Sequence, residues 1–127
     1  MLDLDHLKEL NGTFGHHVGD DALLKVSSLI KGFIRFGDTA CRYGGDEFVL
    51  IFSDTTLENA KQRMEQLLTN IEQIDVLQEG KTMRSLSLSI GIAGYPSHAA
   101  SAREILKADD KALYQAKQAG RNCVMVA

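Results

Sequence analysis

Two short acidic segments are the parts of this chain with the residue types to bind a metal ion. The first is Asp3-Leu4-Asp5, where β-strand alternation would put both carboxylates on one face. The second lies in Arg42–Phe48 (RYGGDEF), where Asp46 and Glu47 follow a pair of glycines. Carboxylates at two strand ends supply the hard oxygen ligands that divalent cations use in phosphoryl-transfer sites. Acidic strand ends that merely face water are the alternative, and these residues alone leave both open.

The glycine pair, Gly44 and Gly45, predicts a tight β-hairpin. It separates two apolar, β-prone runs, Thr39–Cys41 and Val49–Phe52. Glycine takes the positive φ angles of a two-residue turn without steric cost. We therefore expect a hairpin whose turn delivers the second acidic segment to a strand end.

The remaining elements follow from apolar periodicity, alternation and capping boxes. In chain order we expect a strand over Met1–Asp5, a helix entered at Gly19-Asp20 and closed by Gly37-Asp38, the hairpin, a helix from the Thr55–Glu58 capping box with an apolar stripe to Ile74, a polar loop at Gln78–Lys81, a strand alternating over Ser85–Ile92, a helix from the Ser101–Glu104 capping box to about Lys117, and a strand over Cys123–Val126. This mixed order predicts an α+β fold, a central mixed, mostly antiparallel β-sheet flanked by helices.

Length and charge narrow the classes of partner. The 127 residues, 44% of them hydrophobic, fit one domain with an ordinary core. A net charge of −3 gives no long-range attraction to nucleic acid or to an anionic membrane, so we expect neither partner. Cys41 and Cys123 lack metal-site spacing, and two cysteines favour a reduced, cytoplasmic protein without a disulfide framework.

The acidic segments belong to three motifs that follow one another along the chain. The motifs are Asp3–Lys8 with Asn11, Gly15-His16 and Gly19-Asp20; then Gly44–Phe48; then Ala116–Asn122. In this order they resemble the GGDEF domain family, the diguanylate cyclases, which are named after the five residues Gly44–Phe48. The resemblance runs from residue 1 to about residue 124. It implies a ferredoxin-like sheet similar to the palm of nucleotidyl cyclases.

The resemblance also implies an activity. Domains of this family join two GTP molecules into cyclic di-GMP and release two pyrophosphates, and they work as homodimers because each domain holds one GTP. They usually carry a helix and most of the first strand ahead of the residue matching Asp3. We therefore expect a single domain over residues 1–127 that is truncated at its N-terminus. The alternative is a catalytically inactive module that binds GTP or cyclic di-GMP and regulates a partner.

The family match implies the metal ligands and the catalytic residues. Asp3, the backbone carbonyl of Leu4 and Asp46 match the ligands of Mg²⁺ or Mn²⁺, and Asp46 matches the group that deprotonates the attacking hydroxyl. Glu47 is the second candidate catalytic residue. Because adjacent strand residues point to opposite faces, we expect at most one of these two acids to be a close ligand.

The match implies GTP contacts as well. Asn11 and Asp20 would recognise guanine, since a carboxylate accepts from N1–H and N2–H and an amide donates to O6 or N7. A turn for Asn11 and a helix cap for Asp20 are the structural alternatives. Two departures from the family are Gly12, where an aspartate is more usual, and Leu7, which replaces an aromatic residue. The phosphates would be held by backbone N–H groups around His6 and Leu7 and by the side chains of Lys8, Lys117 and Arg121.

Arg35 and Asp38 form an R-x-x-D pair five residues upstream of Gly44. Many diguanylate cyclases carry an inhibitory site for their product at this spacing. An arginine that stacks on guanine and pairs with phosphate, beside an accepting carboxylate, suits a guanine dinucleotide. The family often adds a basic residue from the next helix, for which Arg63 is the candidate. A helix-end arginine and a turn aspartate are the alternative.

Overall fold

The computed structural model describes residues 1–78 and 81–127. The elements are β1 (Leu2–Leu4), α1 (Leu7–Phe14), α2 (His16–Phe33), β2 (Thr39–Arg42), β3 (Glu47–Ile51), α3 (Leu57–Ile71), β4 (Asp75–Gln78), β5 (Lys81–Ser85), β6 (Leu88–Ile92), α4 (Ala102–Gln118) and β7 (Val124–Val126). Five strands form one sheet in the order β2-β3-β1-β6-β7. The β6–β7 pair is parallel and the others are antiparallel. The predicted α+β class with a mixed, mostly antiparallel sheet is confirmed. No helix in the described ranges is long and apolar enough to cross a membrane.

Strand β1 lies in the middle of this sheet, between β3 and β6. Its Leu2 is in register with Phe48 on one side and Ile90 on the other. Leu2 and Leu4 are each only 1% exposed and belong to the main core. Burial of each such leucine stabilises the fold by roughly 1.5–3 kcal/mol. Asp3, which lies between them, is therefore held at a central position of the sheet.

Helices α3 and α4 begin close to where their capping residues predict. The hydroxyl of Thr56 accepts from the backbone N–H of Asn59 (3.1 Å), so the N-cap of α3 is Thr56 rather than Thr55. The hydroxyl of Ser101 accepts from the backbone N–H of Glu104 (3.3 Å), which confirms the predicted start of α4.

The first helical region differs from its prediction. Helix α1 was missed, and α2 begins at His16 rather than at Asp20. Gly15, with φ of 95°, separates the two helices. With eight residues and an internal Gly12, α1 is weak by intrinsic propensity. It forms because Leu7 and Leu10 are buried in the core.

The hairpin forms, but its predicted two-residue turn is wrong. Strand β2 ends at Arg42 and β3 begins at Glu47, and neither Gly44 nor Gly45 has a positive φ. A Cβ at Gly44 would lie 2.8 Å from Oε2 of Glu47, at the end of a flexible side chain that can move, and no atom lies within 4 Å of a Cβ at Gly45. The backbone of this turn therefore does not depend on a positive φ at either glycine.

The predicted strand over Ser85–Ile92 is also divided. Ser85 ends β5, which pairs with β4 in a separate two-stranded sheet, and only β6 joins the main sheet. The alternating pattern continues across this break, so periodicity could not reveal it. The predicted polar loop Gln78–Lys81 includes residues 79 and 80, which lie outside the described residues, and its two end residues belong to β4 and β5.

Candidate active site

The two acidic segments meet where β1 and β3 pair. Asp3 is directly opposite Glu47 in the antiparallel register, and the backbone N–H of Leu4 donates to the backbone carbonyl of Asp46 (2.9 Å). Directly opposed residues of an antiparallel pair share a face of the sheet. The register thus puts Glu47 on the face of Asp3, with Asp46 at the adjoining end of the turn.

Burial and the neighbouring acids change the pKa of Asp3. Asp3 is 6% exposed, and this burial raises the pKa of its carboxyl group. The carboxylates of Asp46 and Glu47 raise the pKa further, whereas the hydrogen bond from Lys117 lowers it. The Lys117 ammonium lies 2.9 Å from Oδ2 of Asp3. The Lys117 ammonium therefore neutralises part of the charge of an acid cluster that comes from β1 and from the β2–β3 hairpin.

The oxygen donors at this cluster fit a small divalent cation. In the part of the chain that the structure describes, no group of three or more His, Cys, Asp or Glu side chains is arranged to hold a metal ion. Mg²⁺ ordinarily takes one or two carboxylates from the protein and completes its shell with water and substrate phosphates. The buried carboxylate of Asp3 beside Asp46 matches that incomplete shell and leaves coordination positions for a ligand.

Arg42 organises the turn that carries the glycines. Its Nε and Nη2 atoms donate to the backbone carbonyls of Gly44 (3.2 Å) and Gly45 (2.6 Å). The backbone N–H of Tyr43 donates to the carbonyl of Glu47 (2.8 Å). The sequence alone predicts no role for Arg42, because no local signal distinguishes it from an ordinary exposed arginine. Its side chain orients the backbone just before the catalytic candidates.

Helix packing brings Asn11 next to the residue that precedes Asp20. Asn11 lies in α1 and Gly19 in α2, and a Cβ at Gly19 would lie only 1.7 Å from Oδ1 of Asn11. That oxygen is buried and has no hydrogen-bond partner among the described residues. The structural alternatives are wrong, since Asn11 is not in a turn and the N-cap of α2 is Gly15, not Asp20. Asp20 is exposed.

The N-terminus of α1 follows the acid cluster at once. His6 is its N-cap, with φ of 60°, and no side chain caps this end. Leu7 is buried and Lys8 is exposed. The first backbone N–H groups of a helix have no acceptor within it, and the helix dipole favours an anion there. The backbone N–H groups at the start of α1 and the side chain of Lys8 thus follow Asp3 within a few residues of the chain.

The end of α4 supplies the other predicted cations. Lys117 lies in its last turn, and Arg121 follows in a turn with three successive positive φ values, 107° at Gly120, 64° at Arg121 and 47° at Asn122. The backbone N–H of Asn122 donates to Oδ2 of Asp5 (3.2 Å). Asp5, grouped with Asp3 by sequence alternation, accepts from protein donors instead of completing the acid cluster.

The R-x-x-D pair lies at the opposite end of the hairpin from the acid cluster, before β2. The Asp38 carboxylate accepts from the backbone N–H of Arg35 (2.9 Å) and from Nη2 of Arg63 (2.6 Å). The Arg63 hydrogen bond lowers the pKa of Asp38. The Arg63 guanidinium lies 3.9 Å from the ring centroid of Phe52, and the Arg35 side chain is exposed. The structure thus places the candidate residue from the next helix beside Asp38.

Comparison with known proteins identifies what this chain resembles. The family model described as "Diguanylate cyclase, GGDEF domain" matches residues 1–123. The chain is 39% identical to diguanylate cyclase A of Treponema denticola over 98% of its own length and 33% of that protein. It is 34% identical to the response regulator PleD of Caulobacter vibrioides over 98% of its length and 28% of that protein. It therefore spans about a third of the length of these relatives.

Solved structures of GGDEF domains have the same fold as this chain. The GGDEF domain of YfiN (TpbB) from Pseudomonas aeruginosa superposes with a TM-score of 0.93 at 34% identity, covering 99% of this chain and 78% of that one. The GGDEF domain of DgcB from Caulobacter crescentus, solved in complex with c-di-GMP, gives a TM-score of 0.92 at 30% identity and covers 98% of this chain and 74% of that one.

Proposed function

The chain belongs to the GGDEF family of diguanylate cyclase domains, and we propose that it condenses two molecules of GTP into cyclic di-GMP, releasing two pyrophosphates. The observation that carries this proposal is the acid cluster. Asp3 lies opposite Glu47 in the strand register, beside Asp46, and bonds to the Lys117 ammonium. Hard carboxylate oxygens next to a lysine ammonium are what a metal-bound triphosphate needs.

Asp3, Asp46 and the backbone carbonyl of Leu4 would hold Mg²⁺ or Mn²⁺. The ion, when bound, neutralises charge on the α-phosphate that is attacked. Asp46 takes the proton of the 3′-hydroxyl of the other GTP. That oxygen then forms a bond to the α-phosphorus while the bond from this phosphorus to the bridging oxygen breaks, and pyrophosphate leaves. Glu47 lies on the face of Asp3 and supports the same acid cluster.

Recognition of GTP uses residues of α1 and α2 and the end of α4. Asn11 and Asp20 bind guanine: the Asn11 amide nitrogen donates to the base, and the packing of its buried Oδ1 against Gly19 supports this assignment because it restricts the orientation of the amide. The backbone around His6 and Leu7 and the side chain of Lys8 contact the phosphates from α1. Lys117 and Arg121 contact them from the end of α4.

Two further proposals concern partners. Each domain holds one GTP, so two copies face one another in a homodimer during turnover, and we propose that this occurs in the cytoplasm, where GTP is available. Product inhibition is proposed for Arg35 and Asp38. The complex of DgcB with c-di-GMP supports binding of this dinucleotide by a domain of the same fold.

The deciding experiment is to incubate the chain with GTP and Mg²⁺ at high protein concentration and to detect cyclic di-GMP by mass spectrometry. We expect product from the wild-type chain and none from Asp46→Ala. Glu65→Ala is the matched control, because Glu65 is an exposed acid on α3 whose lysine pair at 3.8 Å is a surface contact. Absence of product together with retained binding of cyclic di-GMP would overturn the cyclase and favour the inactive binding module.

A further inference from the structure

Asp5 is a buried carboxylate that the proposed reaction does not use. It is 7% exposed and follows β1 directly, two residues after Asp3. Its Oδ1 accepts from the hydroxyl of Ser89 (2.7 Å), and its Oδ2 accepts from the hydroxyl of Ser87 (2.8 Å) and from the backbone N–H of Asn122 (3.2 Å). Three donors from two distant segments thus converge on one side chain.

The turn that Asp5 binds has an unfavourable backbone. Gly120 adopts a positive φ easily, but Arg121 and Asn122 adopt it at a steric cost that other contacts must offset. One such contact is the backbone N–H of Arg121, which donates to the carbonyl of Ala116 (3.0 Å). Asn122 is held on both sides, by Asp5 at its N–H and by Glu72 at its side-chain amide (2.6 Å).

We propose that Asp5 is a positioning residue, which fixes the Arg121 turn against the strand that carries the metal ligand Asp3. This inference rests on the proposed function, because it assigns Asp5 the task of aiming Arg121 at the GTP phosphates. The end of α4 is tied to β1 twice, through Lys117 to Asp3 and through Asn122 to Asp5. These two contacts fix the positions of Lys117 and Arg121 relative to the acid cluster.

Two substitutions distinguish the acceptor role of Asp5 from its charge. Alanine has no acceptor oxygen, so Asp5→Ala leaves the Asn122 N–H without its partner. Asparagine can turn its NH₂ group toward Ser89, whose hydroxyl rotates to accept, and keep its oxygen for Ser87 and the Asn122 N–H. Asp5→Ala should therefore loosen the turn, whereas Asp5→Asn should largely retain it.

The first test is a double-mutant cycle on GTP kinetics. We expect Asp5→Ala and Arg121→Ala each to raise the KM for GTP about tenfold while changing kcat less, because a charge-assisted phosphate contact is lost. Asp5→Asn should stay near the wild-type KM. The double variant Asp5→Ala/Arg121→Ala should be no worse than Arg121→Ala alone. Equal, additive losses in both backgrounds would overturn the inference, because a general structural defect does not act through Arg121.

The second test needs no ligand, so it separates this inference from the proposed function. Trypsin cleaves after arginine, and a loosened turn exposes the Arg121–Asn122 bond; its cleavage rate in the folded chain is followed by mass spectrometry. Asp5→Ala should accelerate this cleavage, whereas Asp5→Asn and Thr56→Ala, which weakens the N-cap of α3, should not. Unchanged cleavage in Asp5→Ala would overturn the positioning role even if the chain proves to be a cyclase. Faster cleavage in a chain that makes no cyclic di-GMP would support the role of Asp5 in fixing the Arg121 turn and would refute the proposed function.

Discussion

The Lys117 ammonium lies 2.9 Å from Oδ2 of Asp3, at the centre of the acid cluster. Lys117 and Asp3 are separated by 114 positions along the chain, so only the packing of α4 against the sheet joins them. A cation that binds to Asp3 would replace this ammonium and release it toward the incoming phosphates. We therefore propose that the same lysine neutralises part of the charge of the acid cluster before GTP binds and contacts the phosphates afterwards.

Asp3→Asn should abolish turnover and yet stabilise the fold at neutral pH. Burial, with smaller contributions from neighbouring acids, raises the pKa of Asp3 above its ordinary value of 3.8. The folded state then binds a proton more tightly than the unfolded state, so stability falls as pH rises through the interval above 3.8. A neutral amide avoids this cost. Urea unfolding at neutral pH checks the prediction, and a less stable Asn variant would contradict it. Turnover should fall by more than the roughly 10–100-fold that loss of an outer-shell partner costs.

Arg63→Met should destabilise the chain by about 3 kcal/mol, because it leaves the Asp38 carboxylate buried without its cation. The side chains of Asp38 and Arg63 are only 5% and 10% exposed. Arg63 holds the pKa of Asp38 below 3.8, so the stabilisation is complete above that pH and disappears as pH falls through the lower, folded-state pKa. Urea unfolding should therefore show a large difference at neutral pH and a smaller one in acid. Arg103→Met, at an exposed arginine of α4, should change little at either pH.

Gly19→Ala should weaken discrimination between GTP and ATP. The new methyl group would lie 1.7 Å from Oδ1 of Asn11, so the amide has to move away from its position. Loss of one or two hydrogen bonds to the base corresponds to about a tenfold rise in the KM for GTP. Gly32→Ala is the control, because no atom lies within 4 Å of its added Cβ. That control should stabilise α2 by about 0.5–1 kcal/mol and leave nucleotide selectivity unchanged. Equal selectivity in both variants would remove Asn11 from guanine recognition.

Arg35→Ala should relieve product inhibition without affecting stability. The Arg35 side chain is exposed, and its bond to Asp38 comes from the backbone N–H, which alanine keeps. We expect the inhibition constant for cyclic di-GMP to rise about tenfold or more, since an arginine contact to phosphate or guanine is lost. Initial rates measured without product should stay the same. Lys31 is an exposed cation near the end of α2, and the Lys31→Ala variant should still be inhibited normally by cyclic di-GMP. Relief of inhibition by both variants would indicate a general charge effect instead.

The sequence by itself determined the features that depend on neighbouring residues. The capping serine and the apolar stripes located α3 and α4, because a cap and a 3.6-residue period act within one or two turns. The ordered motifs identified the family, and the mixed order of strands and helices predicted the α+β class. The sequence did not predict α1, because the helix propensity of this segment is weak. It did not predict the break between β5 and β6, because the alternating apolar pattern continues across it.

Only the tertiary structure decided which distant groups meet. The register of β1 with β3 puts Asp3 opposite Glu47, and α4 brings Lys117 to the same acid. The partner of Asp38 proved to be Arg63 from α3, and Asp5 proved to bind the turn after α4. These pairings depend on how buried leucines and isoleucines pack the strands and helices into one core. No short stretch of sequence encodes that packing, since it depends on the shapes of side chains from the whole chain at once.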